Sequence, residues 1–242
     1  MVVQVYVDVI VFGSISQKKV DGFVKMMTDE FEMSIFGELN FFLGLQVKQT
    51  DDGMFISQRK YARSLVRIFE LVGSKSAKTP MSTTTKLIRD EDGEDVDTKL
   101  YRGMIGSLLY LTASRPDLCL SVGICARYQA KPKKSHLQAV KRIIKYVKGT
   151  VEYDLHYTKD TSSELVGFCD ADWGGHTDDR RSTSGGCFFL GNNMVAWHSK
   201  KQNSTSLSTT EAKYIALGSC CAQLMWMRQT LSDSGKGTGP EM

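Results

Sequence analysis

The stretch LVGFCDADWGGHTDDRRSTSGGCFFLGNNMVAWHSKKQNSTSLSTTEAKYIAL, Leu165 to Leu217, decides how the chain is read. A short strand ends in Cys169-Asp170-Ala171-Asp172. Two further apolar runs, Gly186 to Leu190 and Met194 to Trp197, are separated by Gly191-Asn192-Asn193, a hairpin signal. The pattern predicts a three-stranded meander with Cys169 and Cys187 as strand packing residues. Ser208-Thr209-Thr210-Glu211 then opens a long amphipathic helix with the spacing of a capping box. A carboxylate at a strand end and another in the first turn of a helix can converge on one edge of a sheet, the outline of an acidic metal site. Asp170 and Asp172 sit two apart and share a strand face, with Asp170 the first choice of ligand and Asp172 its neighbour. A capping glutamate needs no catalytic duty, so Glu211 has two readings.

Before this stretch, Glu152 to Lys159 alternates as a strand does, and the polar Asp160 to Glu164 joins it to the meander. Lys131 to Thr150 carries seven Lys and Arg and no acidic residue. On a helical wheel Lys134, Lys141, Lys145 and Lys148 form one stripe, and Leu137, Val140, Ile144 and Val147 an adjacent one. Such a stripe is either a solvated face or a surface that neutralises phosphates without reading sequence. Leu100 to Ala113 and Asp117 to Ala130 read as helices broken at Arg115-Pro116. Ser74 to Lys99 is too polar to bury a core and reads as a flexible linker, with Asp90 to Asp97 as a solvated acidic loop.

Nearer the start, Lys60 to Val72 reads as an amphipathic helix with Ala62, Leu65, Val66 and Phe69 inward. Phe41 to Gln49 and Met54 to Gln58 flank Asp51-Asp52-Gly53, a hairpin. Val20, Phe23, Val24, Met27 and Phe31 recur at helical spacing, which predicts a helix over 17–32 packed as ordinary core under a first hairpin, Val2 to Phe12, with Asp8 at its bend.

The words DADWGG, STSGGCFFLG, VAWHSKKQ and STTEAKYIAL resemble the ribonuclease H domain of copia-type retrotransposon Pol polyproteins. YVDVIVFGS resembles the active-site hairpin of the same family's reverse transcriptase, usually YVDD. FGELNFFLGLQV, YRGMIGSLLYLTASRPDLCLSVG and HLQAVKRIIKYVKGT resemble segments that follow it, so the likeness covers nearly the whole chain in family order.

The resemblance implies Mg²⁺ or Mn²⁺ held by Asp8 in the polymerase part and by Asp170, Glu211 and Asp172 in the ribonuclease part. It implies RNA–DNA hybrid, DNA or RNA as partners, and the remainder of the Pol polyprotein in the parent element. The hairpin around Asp51 becomes the grip on the primer end, and the basic stripe moves toward nucleic-acid binding. Two departures bear on activity. Val9 stands where a second aspartate is expected, in a chain that begins after the upstream strand, which leaves Asp8 a turn residue in the bland reading. The chain ends at Gly235 to Met242, where the family places a further strand with a third carboxylate, so at most two of four carboxylates are expected and the Asp170 strand keeps an open edge.

The 242 residues, 41% hydrophobic with net charge +4, suffice for one or two compact domains. Six cysteines without a CxxC pair and no secretory signal point to an intracellular protein, cytoplasmic or nuclear. No apolar run reaches membrane-spanning length. The expected fold class is mixed α+β: palm with primer-grip-like hairpin over 1–73, linker over 74–99, helical thumb or connection over 100–150, and a partial ribonuclease H-like α/β domain over 151–242. The expected function is RNA-directed DNA polymerase and ribonuclease H in the parent, incomplete in this chain. The alternatives are a non-catalytic nucleic-acid-binding remnant and a relic reading frame.

Overall fold

A computed structural model describes residues 1–14, 16–82, 86–159 and 161–233. Asp160 of the expected joiner and the tail from 234 to 242 lie outside these, as do residues 83–85 of the expected linker. The described residues form an α+β fold, with nine strands in three separate sheets.

Strands β1 (Val2–Tyr6) and β2 (Val9–Gly13) form an isolated hairpin closed by Val7 and Asp8, with Val7 at φ 52°. Helix α1 (Gln17–Glu30) follows, as its periodicity predicts, and Phe12 and Phe23 meet with ring centroids 5.0 Å apart. Its expected core role fails: no α1 residue is buried, and Phe31 is exposed. A two-stranded sheet offers one helix too little surface to enclose an apolar stripe.

Strands β3 (Phe41–Phe42), β4 (Leu45–Thr50) and β5 (Gly53–Ser57) form the second meander, turning at Asp51-Asp52. The run expected from Phe41 to Gln49 is broken by Leu43 and Gly44, both at positive φ. At Gly44 a Cβ would lie 1.7 Å from the Tyr110 hydroxyl oxygen, so glycine is needed for close approach as well as for the turn. Helix α2 (Arg59–Ile68) buries Ala62, Leu65 and Val66. It ends short of the expected Val72 because Glu70 adopts φ 57°.

Helix α3 (Thr98–Leu111) starts at Asp97, whose Oδ1 accepts the Lys99 N–H at 2.8 Å. A 3₁₀ turn at Pro116–Leu118 leads into α4 (Cys119–Ala126), and α5 spans Lys134–Gly149. Residues of α2 to α5, among them Leu65, Met104, Ile105, Leu108, Val122 and Ile144, share one hydrophobic core. Tyr101 is fully buried there, donating to the Cys125 carbonyl at 2.8 Å, and burial pushes the Cys125 thiol up to about 12.

The stretch expected as a flexible linker is anchored instead. Ala77 N–H donates to the Lys145 carbonyl at 3.2 Å, Val96 N–H to that of Pro132, and Tyr128 Oη to that of Leu87 at 2.9 Å. Met81 and Leu87 pack against the core. The acidic loop is partnered too: Glu94 pairs with Lys134, Asp95 with Lys133, and Asp90 accepts from Ser135. Charges far apart in sequence found each other, which composition cannot show.

Strand β6 (Leu155–Thr158) pairs antiparallel with β5, so the alternating run is the fourth strand of the second sheet, not part of the third. Strands β7 (Leu165–Ala171), β8 (Thr183–Leu190) and β9 (Asn193–Lys201) form the antiparallel third sheet in chain order, with a bulge opposite Phe188 and Phe189. Helix α6 (Thr209–Asp233) packs across β7 and β8. A Cβ on Gly167 would lie 2.9 Å from Leu224 and 3.1 Å from the Cys220 sulfur, so this glycine sets how near α6 comes. The helix is long, as expected, but its buried face is narrow: of its described residues only Ala212, Ala216 and Cys220 are buried, while Tyr214, Met225 and Trp226 face solvent.

Candidate functional site

Strand alternation turns Gly167, Cys169 and Ala171 toward α6 and Phe168 and Asp170 toward a cleft of about 510 Å³ on the other face, walled also by Cys119, Leu120 and Trp197. Among the described residues β7 pairs with β8 alone, so Asp170 stands on an edge strand. Its exposed carboxylate lies 3.4 Å from the Lys213 ammonium, early in α6. The Ala171 backbone N–H, and then Lys213, hold the Asp170 carboxyl below the usual carboxylate range. Asp172, just past the strand, accepts from the Thr183 backbone N–H through Oδ1, while its own N–H donates to the Thr183 carbonyl at 3.2 Å.

Glu211 sits in the first turn of α6 and accepts the Leu207 N–H at 2.5 Å, while its own N–H donates to Ser208 Oγ at 3.1 Å. That is the reciprocal cap read from Ser208-x-x-Glu211, displaced by one residue. The sheet and helix thus bring Asp170 and the start of α6 to one edge, but each of the three carboxylates has its own protein partner. Among the described residues no group of three or more His, Cys, Asp or Glu could hold a metal ion. Asp170, Asp172 and Glu211 do not by themselves fit a divalent ion, and Asp8 stands exposed in its turn, far from them in the chain.

The basic stripe of α5 is divided. Lys134 pairs with Glu94 at 2.6 Å, and Lys148 Nζ donates to the Val72 and Ser74 carbonyls at 2.5 Å each, beyond the end of α2. Lys141 is exposed and Lys145 half-buried, and neither ammonium has an ion pair among the described residues. Arg142, off the stripe, holds Thr79. Sequence reading missed a second cationic surface, a cleft of about 570 Å³ that includes Arg89, Arg127, Lys131 and the buried His176. Its residues come from separate stretches, and the one local signal is a histidine after a double glycine.

Comparison with known proteins bears on what such a surface serves. The profile of the family Reverse transcriptase (RNA-dependent DNA polymerase) matches residues 1–83. An uncharacterised mitochondrial protein of Arabidopsis thaliana is 34% identical over 93% of this chain and 94% of its own length. The retrovirus-related Pol polyprotein from transposon RE2 of Arabidopsis thaliana is 33% identical over 96% of this chain. That from transposon TNT 1-94 of Nicotiana tabacum is 31% identical over 86% of it.

The chain belongs to the copia-type retrotransposon Pol family. It spans 16% of each of the two Pol polyproteins, a match that runs through the third sheet as well as the first 83 residues. No solved structure matches it. As a reverse transcriptase-like Pol chain it carries Asp8 in the hairpin that the family profile covers, and no described helix is long and apolar enough to cross a membrane.

Proposed function

We propose that the chain is a nucleic-acid-binding part of a Pol protein, with a ribonuclease H-like unit over 165–233 in which Asp170 and Glu211 occupy the family's carboxylate positions. On its own it neither extends primers nor cuts hybrids. The observation that carries this reading is the order β7–β8–β9–α6, which sets a carboxylate on an open edge strand beside the first turns of the helix, through the Lys213–Asp170 contact. Divalent ions repel strongly when close and need several bridging carboxylates. Here Glu211 caps its helix, Asp172 holds the Thr183 N–H and Asp170 faces Lys213, so hybrid engagement without hydrolysis is the reading these residues support.

The test is hybrid binding measured across a salt series, alongside primer extension and hybrid cleavage with Mg²⁺ or Mn²⁺. Binding without sequence preference that weakens with salt is expected. Because Lys134 and Lys148 already have partners, Lys141→Gln with Lys145→Gln should flatten the salt dependence by about two units of slope. Binding that ignores salt or the double substitution, or cleavage that Asp170→Asn abolishes, would overturn the reading.

A further inference from the structure

A second cationic surface lies where residues 86–99, the end of α4 and the loop between β7 and β8 meet, a cleft of about 570 Å³ apart from both the Asp170 edge and the outer stripe of α5. Two of its cations are already engaged. Lys133 Nζ donates to the Gly93 carbonyl and pairs with Asp95, each at 2.8 Å, and Lys201 pairs with Asp179 at 2.5 Å. The carboxylates of the loop are engaged as well: Asp178 accepts the Arg89 backbone N–H at 3.1 Å and the Tyr128 hydroxyl at 3.2 Å, and Asp179 takes the Arg181 N–H at 3.2 Å.

What remains is positive. The side chains of Arg89 and Lys131 and the guanidinium of Arg127 make no ion pair among the described residues, and Arg127 donates only to Thr183 Oγ1, at 2.9 Å. Of the charged residues lining the cleft, five cations stand against Glu91, Asp178 and Asp179, an excess of two positive charges that Asp95 beside Lys133 reduces to one. Burial lowers the pKa of Arg127 even though Asp172 and Asp179 act in the opposite direction, as expected of a desolvated cation that makes no ion pair.

The wall carries a second, independent observation. The His176 side chain is 7% exposed, and neither ring nitrogen has a hydrogen-bond partner. Its Nδ1 lies 2.9 Å from Asp179 Oδ1 and its Nε2 3.9 Å from Asp178 Oδ2, neither in hydrogen-bonding geometry. Buried polar atoms are nearly always satisfied, so an imidazole that has carboxylates beside it yet makes no hydrogen bond, on the wall of this cleft, marks a place for a polar ligand.

We propose that this cleft binds a phosphate group, gripped by Arg89 and Arg127, with Lys131 as a point charge and His176 donating a ring N–H. Guanidinium groups arriving from two different segments suit a tetrahedral oxyanion, which offers acceptors in several directions. The excess of positive charge argues against a metal ion. The phosphate can come from a free diphosphate or from the backbone of a single strand, and the two are separable by experiment. The proposal does not depend on the carboxylates or on Lys141 and Lys145.

The four histidines, His136, His156, His176 and His198, give the readout, through ring resonances of the full chain in NMR. The chain is titrated at constant ionic strength with pyrophosphate, with a short single-stranded oligodeoxynucleotide, and with glutamate as a carboxylate control. Saturable movement of His176 with His156 unmoved is expected for at least one phosphate source. Response to pyrophosphate alone assigns a free ligand, and response to the oligonucleotide alone assigns the backbone. Arg89→Gln with Lys131→Gln, both at exposed positions, should weaken the response roughly tenfold or more. An unchanged His136 signal reports that this variant is folded. A silent His176 with both sources, an equal response to glutamate, or full response in the folded double variant overturns the proposal. Persistence of the His176 response in Lys141→Gln with Lys145→Gln, where the salt dependence of hybrid binding is flattened, separates this cleft from the reading of α5.

Discussion

Arg115 shows how much one side chain can organise at a helix break. Its guanidinium is 4% exposed, pairs with Asp117 at 2.8 Å, and donates to the carbonyl and hydroxyl of Thr150 at 2.9 and 2.6 Å. The rings of Tyr146 and Tyr153 lie within 5.8 and 5.3 Å. Truncation to Ala leaves Asp117 and Thr150 without their donor, so Arg115→Ala should destabilise by about 3 kcal/mol, read as a lower denaturant midpoint at unchanged slope. Asp170 is the opposite case. It is exposed, so Asp170→Asn should leave the unfolding midpoint in place, and any change in nucleic-acid behaviour then reports function. His176 ties stability to pH. Burial, with Lys201 and Arg127 nearby, holds its pKa below 6.5 against the opposing Asp178 and Asp179, so below that pH the unfolded chain binds its proton first. Stability should therefore fall as pH drops below about 6.5, until native His176 protonates. Asp179, held at about 2 against an ordinary 3.8, adds stability that is complete above 3.8 and is lost toward 2. His176→Gln should flatten the first slope, with His198, also lowered by burial, keeping part of it. An unchanged slope between pH 5 and 7 would show that another group titrates there.

Among the elements, α5 and the polar stretch before α3 depend on each other. His136, fully buried, accepts the Lys133 N–H at 2.9 Å and lies 2.7 Å from the Ile88 carbonyl, so one ring closes the start of α5 and holds residues 86–97. His136→Ala should cost about 2 kcal/mol through the unsatisfied carbonyl and lost packing, and should open this stretch to trypsin at Arg89, where the parent resists. Equal cutting of both would mean that the stretch is not held by the ring. The meander of β7 to β9, the cap at Ser208 and the break at Arg115-Pro116 were legible because turn chemistry and periodicity are local. The anchoring of 74–99, the pairing of β6 with β5 and the sharing-out of the α5 lysines were not, because each depends on a partner more than thirty positions away. The candidate carboxylates rest on motif, and their separate partners appear only in the geometry. The narrow contact of α6 was missed for another reason: Ala212, Ala216 and Cys220 are small, so burial there comes from close approach rather than from an apolar stripe.

At the scale of the molecule, apolar surface is distributed unevenly. The helical core is closed, whereas Val5, Val7 and Phe36 are exposed by 60, 88 and 96% around the first hairpin and α1. A two-stranded hairpin is marginal in water, so its side chains alone make a weak and mobile surface for self-association. β7 offers more: seven residues of one fixed strand with an edge free of strand partners among the described residues, and Phe168 exposed by 59% beside it. Its neighbours fix it in place, so a second chain can add its own β7 without ordering anything first. Rigid edges that carry a charge only near one end, as β7 does at Asp170, are templates for pairing, and a lysine in the middle of one is a common safeguard. The chain is therefore expected to associate in a concentration-dependent way in sedimentation, and Phe168→Lys should shift it toward monomer. Phe168 points away from α6, with its ring 5.9 Å from that of Phe189, so the substitution should leave the packing under α6 intact. Val5→Lys with Val7→Lys is the comparison. If that pair dissolves the oligomer and Phe168→Lys does not, association runs through the hairpin and the β7 edge is closed in solution by other means.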